Sequence, residues 1–230
     1  MKKARIALLL LFLVLCICQT ASAEEDPKAF SIGLYGGCTV LPMSVFGVDW
    51  QQYDDKREEI ATNDDSYLQP APLGGLAFTY LPARRFVSIG FTLEGFFQQF
   101  EGALKGSSGN NPEQKENYDF DIVMRFYQIN FLGTIYFTRN AFKPYLQLGM
   151  GAVYNDAQID SDHQTAYGAS GIVSWGAQYS FTDWFAFGGQ VRMQDMFGMR
   201  YIYEPSEKDL LSIEAQYIPL SLLVHTTFYF

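Results

Sequence analysis

The chain has 230 residues, is 48% hydrophobic and 17% aromatic, and carries a formal net charge of −9. That length suits one domain with a sizeable interior, and the acidic balance excludes nucleic acid as a partner. Beyond the N-terminus no stretch reaches the roughly 18 consecutive apolar residues of a membrane helix, so the high Tyr and Phe content needs another explanation.

Residues 1–23 read as a cleaved secretory signal peptide and residues 24–230 as a single β-barrel domain. Lys2, Lys3 and Arg5 open the chain, residues 6–17 are an apolar run, and Ala21-Ser22-Ala23 supplies a small-residue exit before Glu24. The run is too short for an anchor helix. Cys16 and Cys18 follow Leu15 and Ile17, which argues against a lipoprotein anchor. Cleavage removes three basic residues and no acid, so the mature chain is three units more negative. Cys38 is then the one remaining cysteine, and no intrachain disulfide can form. The destination is the periplasm or the bacterial outer membrane.

Alternation with a period of two then runs along the chain, the mark of strands with two different faces. A first strand over 30–40 puts Phe30, Ile32, Leu34 and Cys38 on one face and Ser31, Gly33, Tyr35 and Thr39 on the other. A long polar loop over 42–70 follows, with a short helix expected over 54–61. The second strand, 73–81, and the third, 86–100, flank a tight turn at Pro82-Ala83-Arg84-Arg85. A second loop spans 102–117. The fourth strand, 118–137, and the fifth, 142–154, flank a short turn at 138–140. A third loop holds Asp156, Asp160, Asp162 and His163. The sixth strand, 167–181, and the seventh, 184–201, flank Thr182-Asp183. A fourth loop covers 203–213. The eighth strand, 214–230, ends on Phe230, with Phe228, Val224, Leu222 and Leu220 on its apolar face.

Short turns follow even-numbered strands and long polar loops follow odd-numbered ones. This asymmetry, an even strand count and an acidic loop end describe an all-β, eight-stranded, antiparallel up-and-down transmembrane β-barrel. Its loops face outside the cell and both termini face the periplasm. Arg84, Arg85, Arg139 and Lys143 sit at the turn end. A soluble eight-stranded barrel reverses the faces, with apolar residues inside. Here the second face is rich in Gly, Ser and Gln, which suits a crowded lumen. The bulky aromatic face suits lipid.

The signal peptide, the strand pattern, the segment Lys143-Pro144-Tyr145-Leu146-Gln147-Leu148-Gly149-Met150-Gly151 and terminal Phe230 together resemble the small outer-membrane β-barrel superfamily. That superfamily includes the transmembrane domain of OmpA, OmpX and OmpW. The resemblance covers the mature chain and is specific for the fold, not the subfamily. It implies that Phe228, Tyr229 and Phe230 form the signal read by the barrel-assembly machinery. It implies no peptidoglycan anchoring, because no periplasmic domain follows the barrel.

Glu94 and Arg192 are the inward charges of the third and seventh strands, at matching distance from the turn end. Those strands are opposite in an eight-stranded barrel, whose interior is just wide enough to be filled by side chains. A lumen ion pair is expected, with Gln178, Gln190 and Gln194 as polar partners; the bland alternative is that both charges contact lumen water. Further out, Phe96, Met124, Phe126 and Met196 form either an apolar cup for a small apolar ligand, as the resemblance to OmpW suggests, or ordinary filling. Pro42 and Pro219 lie near the outer end of the closing seam and lack ladder donors. They mark either a lateral opening or the ends of strands.

Neither histidine builds an enzyme. His225 faces the lumen with Ser221 and Thr227 and no acid is placed at its depth. The His-x-Ser arrangement of outer-membrane lipid A deacylases would require Ser at position 227, where Thr stands. His163 is a loop residue. No Asp-x-Asp-x-Asp-Gly loop or cofactor site appears; the acids Asp54, Asp55, Glu58 and Glu59 either offer oxygens to a divalent cation or form an ordinary solvated surface. The sequence therefore predicts a monomeric barrel in outer-membrane lipid, with a structural role or restricted permeation of small molecules. The competing role is an adhesin that binds a host or surface receptor through its long loops.

Overall fold

The computed structural model describes residues 29–52, 56–62, 67–69, 71–81, 88–108, 116–138, 140–206 and 209–230. The expected signal peptide, the turn at 82–85 and the cations Arg84, Arg85 and Arg139 lie outside the described residues. The strands are β1 (Phe30–Gln52), β2 (Lys56–Thr62), β3 (Tyr67–Leu68), β4 (Pro72–Tyr80), β5 (Ser88–Ser108), β6 (Glu116–Tyr136), β7 (Phe142–Ile159), β8 (Asp162–Thr182), β9 (Phe185–Ser206) and β10 (Asp209–Tyr229). Eight of them, β1 and β4 to β10, form an antiparallel ring closed by pairing of β10 with β1. The short strands β2 and β3 pair with β5 above β4, and β2 also pairs with β1.

The stagger of the ring can be counted. From Glu94 the register runs one way through Asn130, Gly151 and Ser170 to Met196 on β9. The other way it runs through Ala77, Gly33 and Thr227 to Ala186 on the same strand. One circuit therefore advances ten residues, from position 186 to position 196. A stagger of this kind tilts barrel strands by roughly 35–45° and sets how side chains from opposite strands meet.

The two faces divide by chemistry. Ile129 is 66% exposed and Met150 72%, whereas the inward Asn130 and Ser174 are fully buried. Bulky apolar groups on the outside and amides and hydroxyls inside are the arrangement of a barrel in lipid. Aromatic rings edge the apolar zone. At the turn end Phe30 meets Tyr80 at 5.2 Å between ring centres and Phe230 at 6.3 Å, and Trp184 meets Phe228 at 6.3 Å. At the other end Phe97, Tyr127, Tyr154 and Tyr167 form a continuous row at 5.2, 6.0 and 5.3 Å. Rings of this type stand at membrane–water interfaces because one edge is apolar and the other polar.

The strands differ from the sequence reading in length. Apart from β4, each strand of the ring runs past the second aromatic row into the segments expected as loops. Described parts of all four expected loops are strand, and the third loop shrinks to a turn at Asp160–Ser161. Asp160 accepts the αL conformation there, with φ 52°. The helix expected over 54–61 is instead strand β2 from Lys56 onward. Its Lys-Arg-Glu-Glu run has helical composition, but the free edges of β1 and β5 claim its backbone. A bulge with Gly198 at φ +79° changes the phase of β9, so Met199 and Tyr201 point inward after the even-numbered Arg192, Gln194 and Met196.

Gly149 faces the lumen where Leu132 fills the space. A Cβ there would stand 2.2 Å from the Phe131 carbonyl oxygen and 2.6 Å from Leu132 Cδ2. Gly149→Ala is expected to lower stability by ~1–3 kcal/mol, the usual cost of overpacking, measured by urea unfolding of the protein in lipid vesicles. An unchanged midpoint would contradict this packing.

Candidate functional site

The lumen is built in three levels. Nearest the turn end is a polar network. The Tyr145 hydroxyl lies 2.9 Å from Gln190 Oε1 and 2.9 Å from His225 Nε2. His225 Nδ1 is 3.3 Å from Thr227 Oγ1, and its ring stacks on Tyr35 at 5.2 Å. Gln178 donates to the Tyr229 hydroxyl, and Lys143 Nζ stands over the Tyr229 ring at 4.9 Å. Tyr229 is thus a lumen residue, whereas Phe228 and Phe230 face outward beside it.

The middle level holds the charges. Arg192 Nη1 and Nη2 donate to Glu94 Oε1 and Oε2, each at 2.7 Å, a bidentate fork. Exposure is 1% for Arg192 and 0% for Glu94. Asn130 Nδ2 donates to Glu94 Oε1 at 2.9 Å, and Arg192 Nε donates to Ser174 Oγ at 3.3 Å. The guanidinium lies over the Phe96 ring at 4.8 Å. A charge taken from water costs several kcal/mol, and only a well-formed pair with its remaining sites bonded recovers this. The barrel supplies that geometry through its stagger. Arg192 lies four residues nearer the turn end than Met196, the register partner reached from Glu94, so the tilt brings the two charges level.

The expected glutamines do not touch this pair. Gln178 bonds Tyr229, Gln190 accepts from Tyr145, and Gln194 Nε2 donates to Gln128 Oε1 at 2.5 Å. Side chains one or two pleats from the pair cannot compete with register neighbours. Asn130 is the direct partner of Glu94, and Ser174 the direct partner of Arg192. Sequence alternation placed both inward but did not assign them; the signal was the shared register. A separate hydroxyl ladder links Thr79, Thr92 and Thr134, and Gln98 donates to Thr39, which lies 3.2 Å from Ser221.

The outer level is apolar. Met124, Phe126 and Met196 belong to one buried cluster with Phe100, Tyr201 and Tyr217, all 0–1% exposed. Phe126 meets Tyr217 edge-on at 5.1 Å, and the Tyr217 hydroxyl donates to Met124 Sδ at 2.5 Å. Phe96 does not join them. It packs with Leu73 and Leu223 one level down, where Arg192 covers its face. The four residues expected to line one cup are therefore split, and those at the outer level are in contact with their neighbours.

The prolines do not end their strands. Pro42 is the register partner of Pro219, and β1 pairs with β10 onward to Gln52 and Asp209. One irregularity lies in the seam itself, a register shift between Thr39 and Leu41 of β1, and others lie beside it. β10 passes from Tyr217↔Met196 to Leu220↔Met193 with no pair at Ile218 or Pro219. On its other side β1 pairs with β4 as far as Cys38↔Pro72 and bonds Ala71 through Thr39, and among the described residues its ladder resumes only at Val48↔Ile60.

The sequence matches no family model and no curated protein. Among solved structures, the outer membrane protein OprG from Pseudomonas aeruginosa aligns with a TM-score of 0.59 at 18% identity, over 89% of this chain and 98% of that one. Neisserial surface protein A aligns at 0.46 and 12% identity, over 90% of this chain and 100% of that one. This chain has the fold of the small eight-stranded outer-membrane β-barrels.

Removing one charge leaves the other buried alone. Glu94→Leu or Arg192→Met alone is expected to cost ~3–5 kcal/mol, whereas the double variant Glu94→Leu with Arg192→Met loses much less. Urea unfolding of the four proteins of this cycle checks the difference, and equal losses in single and double variants would contradict the pairing.

Proposed function

We propose that this chain, exported with residues 1–23 removed, is an outer-membrane barrel that is closed to ions and water-soluble solutes. Its termini face the periplasm and its extended strands face the exterior. Its role is structural, or restricted to the passage of small apolar molecules. The observation that carries this reading is the filling of the lumen. A bidentate ion pair spans its middle and an apolar cluster fills its outer part. Moving a hydrated ion through that cluster means stripping its water without a compensating partner.

An apolar solute meets the reverse situation. Met124, Met196 and Met199 give the outer cluster three unbranched, adaptable side chains. A molecule that displaces them cannot continue past Glu94 and Arg192, so its exit is sideways. Ile218 and Pro219, which lack partners on β9, and the interruption beside β1 above Thr39 are places among the described residues where the wall has fewer ladder hydrogen bonds to break. Phe228, Tyr229 and Phe230 take the assembly-signal role, with the two phenylalanines presented outward. A loop-mediated binding role draws on a different feature, the polar strand extensions that carry Lys105, Asp119, Arg125 and Asp156 beyond the aromatic row.

Refolded protein in planar bilayers is expected to give no stepwise conductance, and discrete channels in the unmodified protein would contradict the closed lumen. Uptake of a small apolar solute by outer-membrane vesicles is expected to fall several-fold in Pro219→Ala, which restores a ladder donor. Unchanged uptake would assign the protein a purely structural or binding role.

A further inference from the structure

At the second aromatic row β8 and β9 stop pairing, although both strands continue. Their ladder runs from Thr182↔Phe185 to Ala169↔Phe197 and, among the described residues, ends there. β8 stays paired with β7 as far as Asp162, and β9 stays paired with β10 as far as Ser206. The parting coincides with the bulge in β9. β10 passes from Tyr217↔Met196 to Ala215↔Met199, so Phe197 and Gly198 together stand against Gln216, and Gly198 has φ +79°. A bulge bends its strand and ends local pairing. The result is a slit between β8 and β9 that opens beyond the row.

The floor of the slit is apolar and closed. Met199 and Tyr201 of β9 reach beneath β8: a Cβ on Gly168 would lie 2.8 Å from Met199 Cγ, and the Tyr201 hydroxyl donates to Asn155 Oδ1 of β7 at 2.7 Å. The buried Ala166 completes it. The side of the slit is backbone. The β7–β8 hairpin turns in two residues, with Ile159 and Asp162 as its closing pair. That pair is hydrogen-bonded, and the bonding direction alternates along the strand. The backbone groups of Gln164, Ala166 and Gly168 therefore face β7. Those of His163, Thr165 and Tyr167 face the slit, where no strand meets them among the described residues.

Alternating N–H and C=O groups along roughly 20 Å of strand are matched by another extended backbone. Sheets guard exposed edges with Lys or Pro, and the segment Asp162-His163-Gln164-Thr165-Ala166-Tyr167-Gly168 carries neither. Charge selects the occupant further. The hairpin tip exposes Asp160 and Asp162, while the nearby Arg125 is already paired with Asp156. We propose that the β8 edge from Asp162 to Gly168 docks an extended peptide segment as an added strand, with apolar side chains at alternate positions over the floor and a lysine or arginine beside Asp162. The proposal deepens the binding role of the strand extensions and rests on their standing outside the membrane. Conductance and apolar uptake are measured separately, so a failure there is distinct from a failure of this site.

The test uses the full chain in detergent micelles and a fluorescein-labelled peptide, Lys-Val-Thr-Val-Thr-Val-Lys, followed by fluorescence anisotropy. Saturable binding is expected, and N-methylation of the peptide at alternate residues is expected to weaken it about tenfold by removing backbone donors. In the protein, the Thr165 N–H points into the slit, so Thr165→Pro removes an edge donor without costing a bond to β7. It is expected to weaken binding about tenfold, whereas Thr165→Val retains it. Asp162→Asn is expected to weaken binding severalfold. Folding of each variant is checked by its β-sheet circular dichroism. Amide exchange gives a second readout. Without peptide, Thr165 and Tyr167 are expected to exchange faster than Ala166 and Gly168, and to become protected when peptide is added. Absence of saturable binding, or binding that a folded Thr165→Pro leaves unchanged, overturns the site. So does slow exchange at Thr165 and Tyr167 before any peptide is added, which would mean that the chain itself or a second copy already covers the edge.

Discussion

Two opposite charges at hydrogen-bond distance in the middle of a closed cylinder set the terms for everything around them. Arg192 and Glu94 are inside a wall whose outer face is apolar, so neither can reach water by a small movement. The pair persists only if both ends are held. Asn130 fixes one carboxylate oxygen, Ser170 Oγ lies 3.4 Å from the Asn130 amide oxygen, and Ser174 accepts from the Arg192 Nε–H. Each of these is a register neighbour, so a slip of one residue in any central strand would turn a partner out toward lipid. The lumen chemistry and the strand register therefore specify each other.

The closed middle divides the barrel into two compartments with different solvents. Below the pair, phenols, amides and His225 bond to one another. Above it, the chain builds an apolar core of the kind found in soluble proteins, inside strands that have passed beyond the aromatic row. Among the described residues, thirteen buried side chains form this core, from Val153 and Met196 beside the aromatic row to Ile159 beyond it. That core accounts for β6, β7 and β9 staying paired out to Ile122, Ile159 and Tyr201 instead of opening into loops.

The sequence made the half between the two aromatic rows legible and the half beyond the second row much less so. Alternation from Phe30 to Thr39 or from Val173 to Phe181 reports two solvents, lipid on one side and a crowded lumen on the other, and the faces follow directly. Beyond the aromatic row the outer face meets water, so Glu101, Asp119 and Asp156 look like loop residues although their backbones are paired. The Lys56–Thr62 strand was hidden for the same reason, since its own composition favours a helix and only the edges of β1 and β5 make it a strand. The bulge at Gly198 hid Met199 and Tyr201 by reversing the phase partway along β9. Within the site, opposite strands and equal depth led to Glu94 and Arg192. The roles of Asn130, Ser174 and Phe96 depend on a stagger that no single strand contains, and the Tyr145–His225 contact joins strands 80 residues apart.

The most direct test of this account reads the arginine itself. Solution NMR of the barrel in detergent micelles, with arginine side chains labelled, reports whether the Arg192 guanidinium is clamped. The account predicts separate Nη proton signals for Arg192, protected from exchange with solvent for far longer than those of Arg125 at the surface. A single averaged Arg192 signal that exchanges as fast as Arg125 would contradict it, because the lumen would then be open to water at the level on which the closed barrel depends.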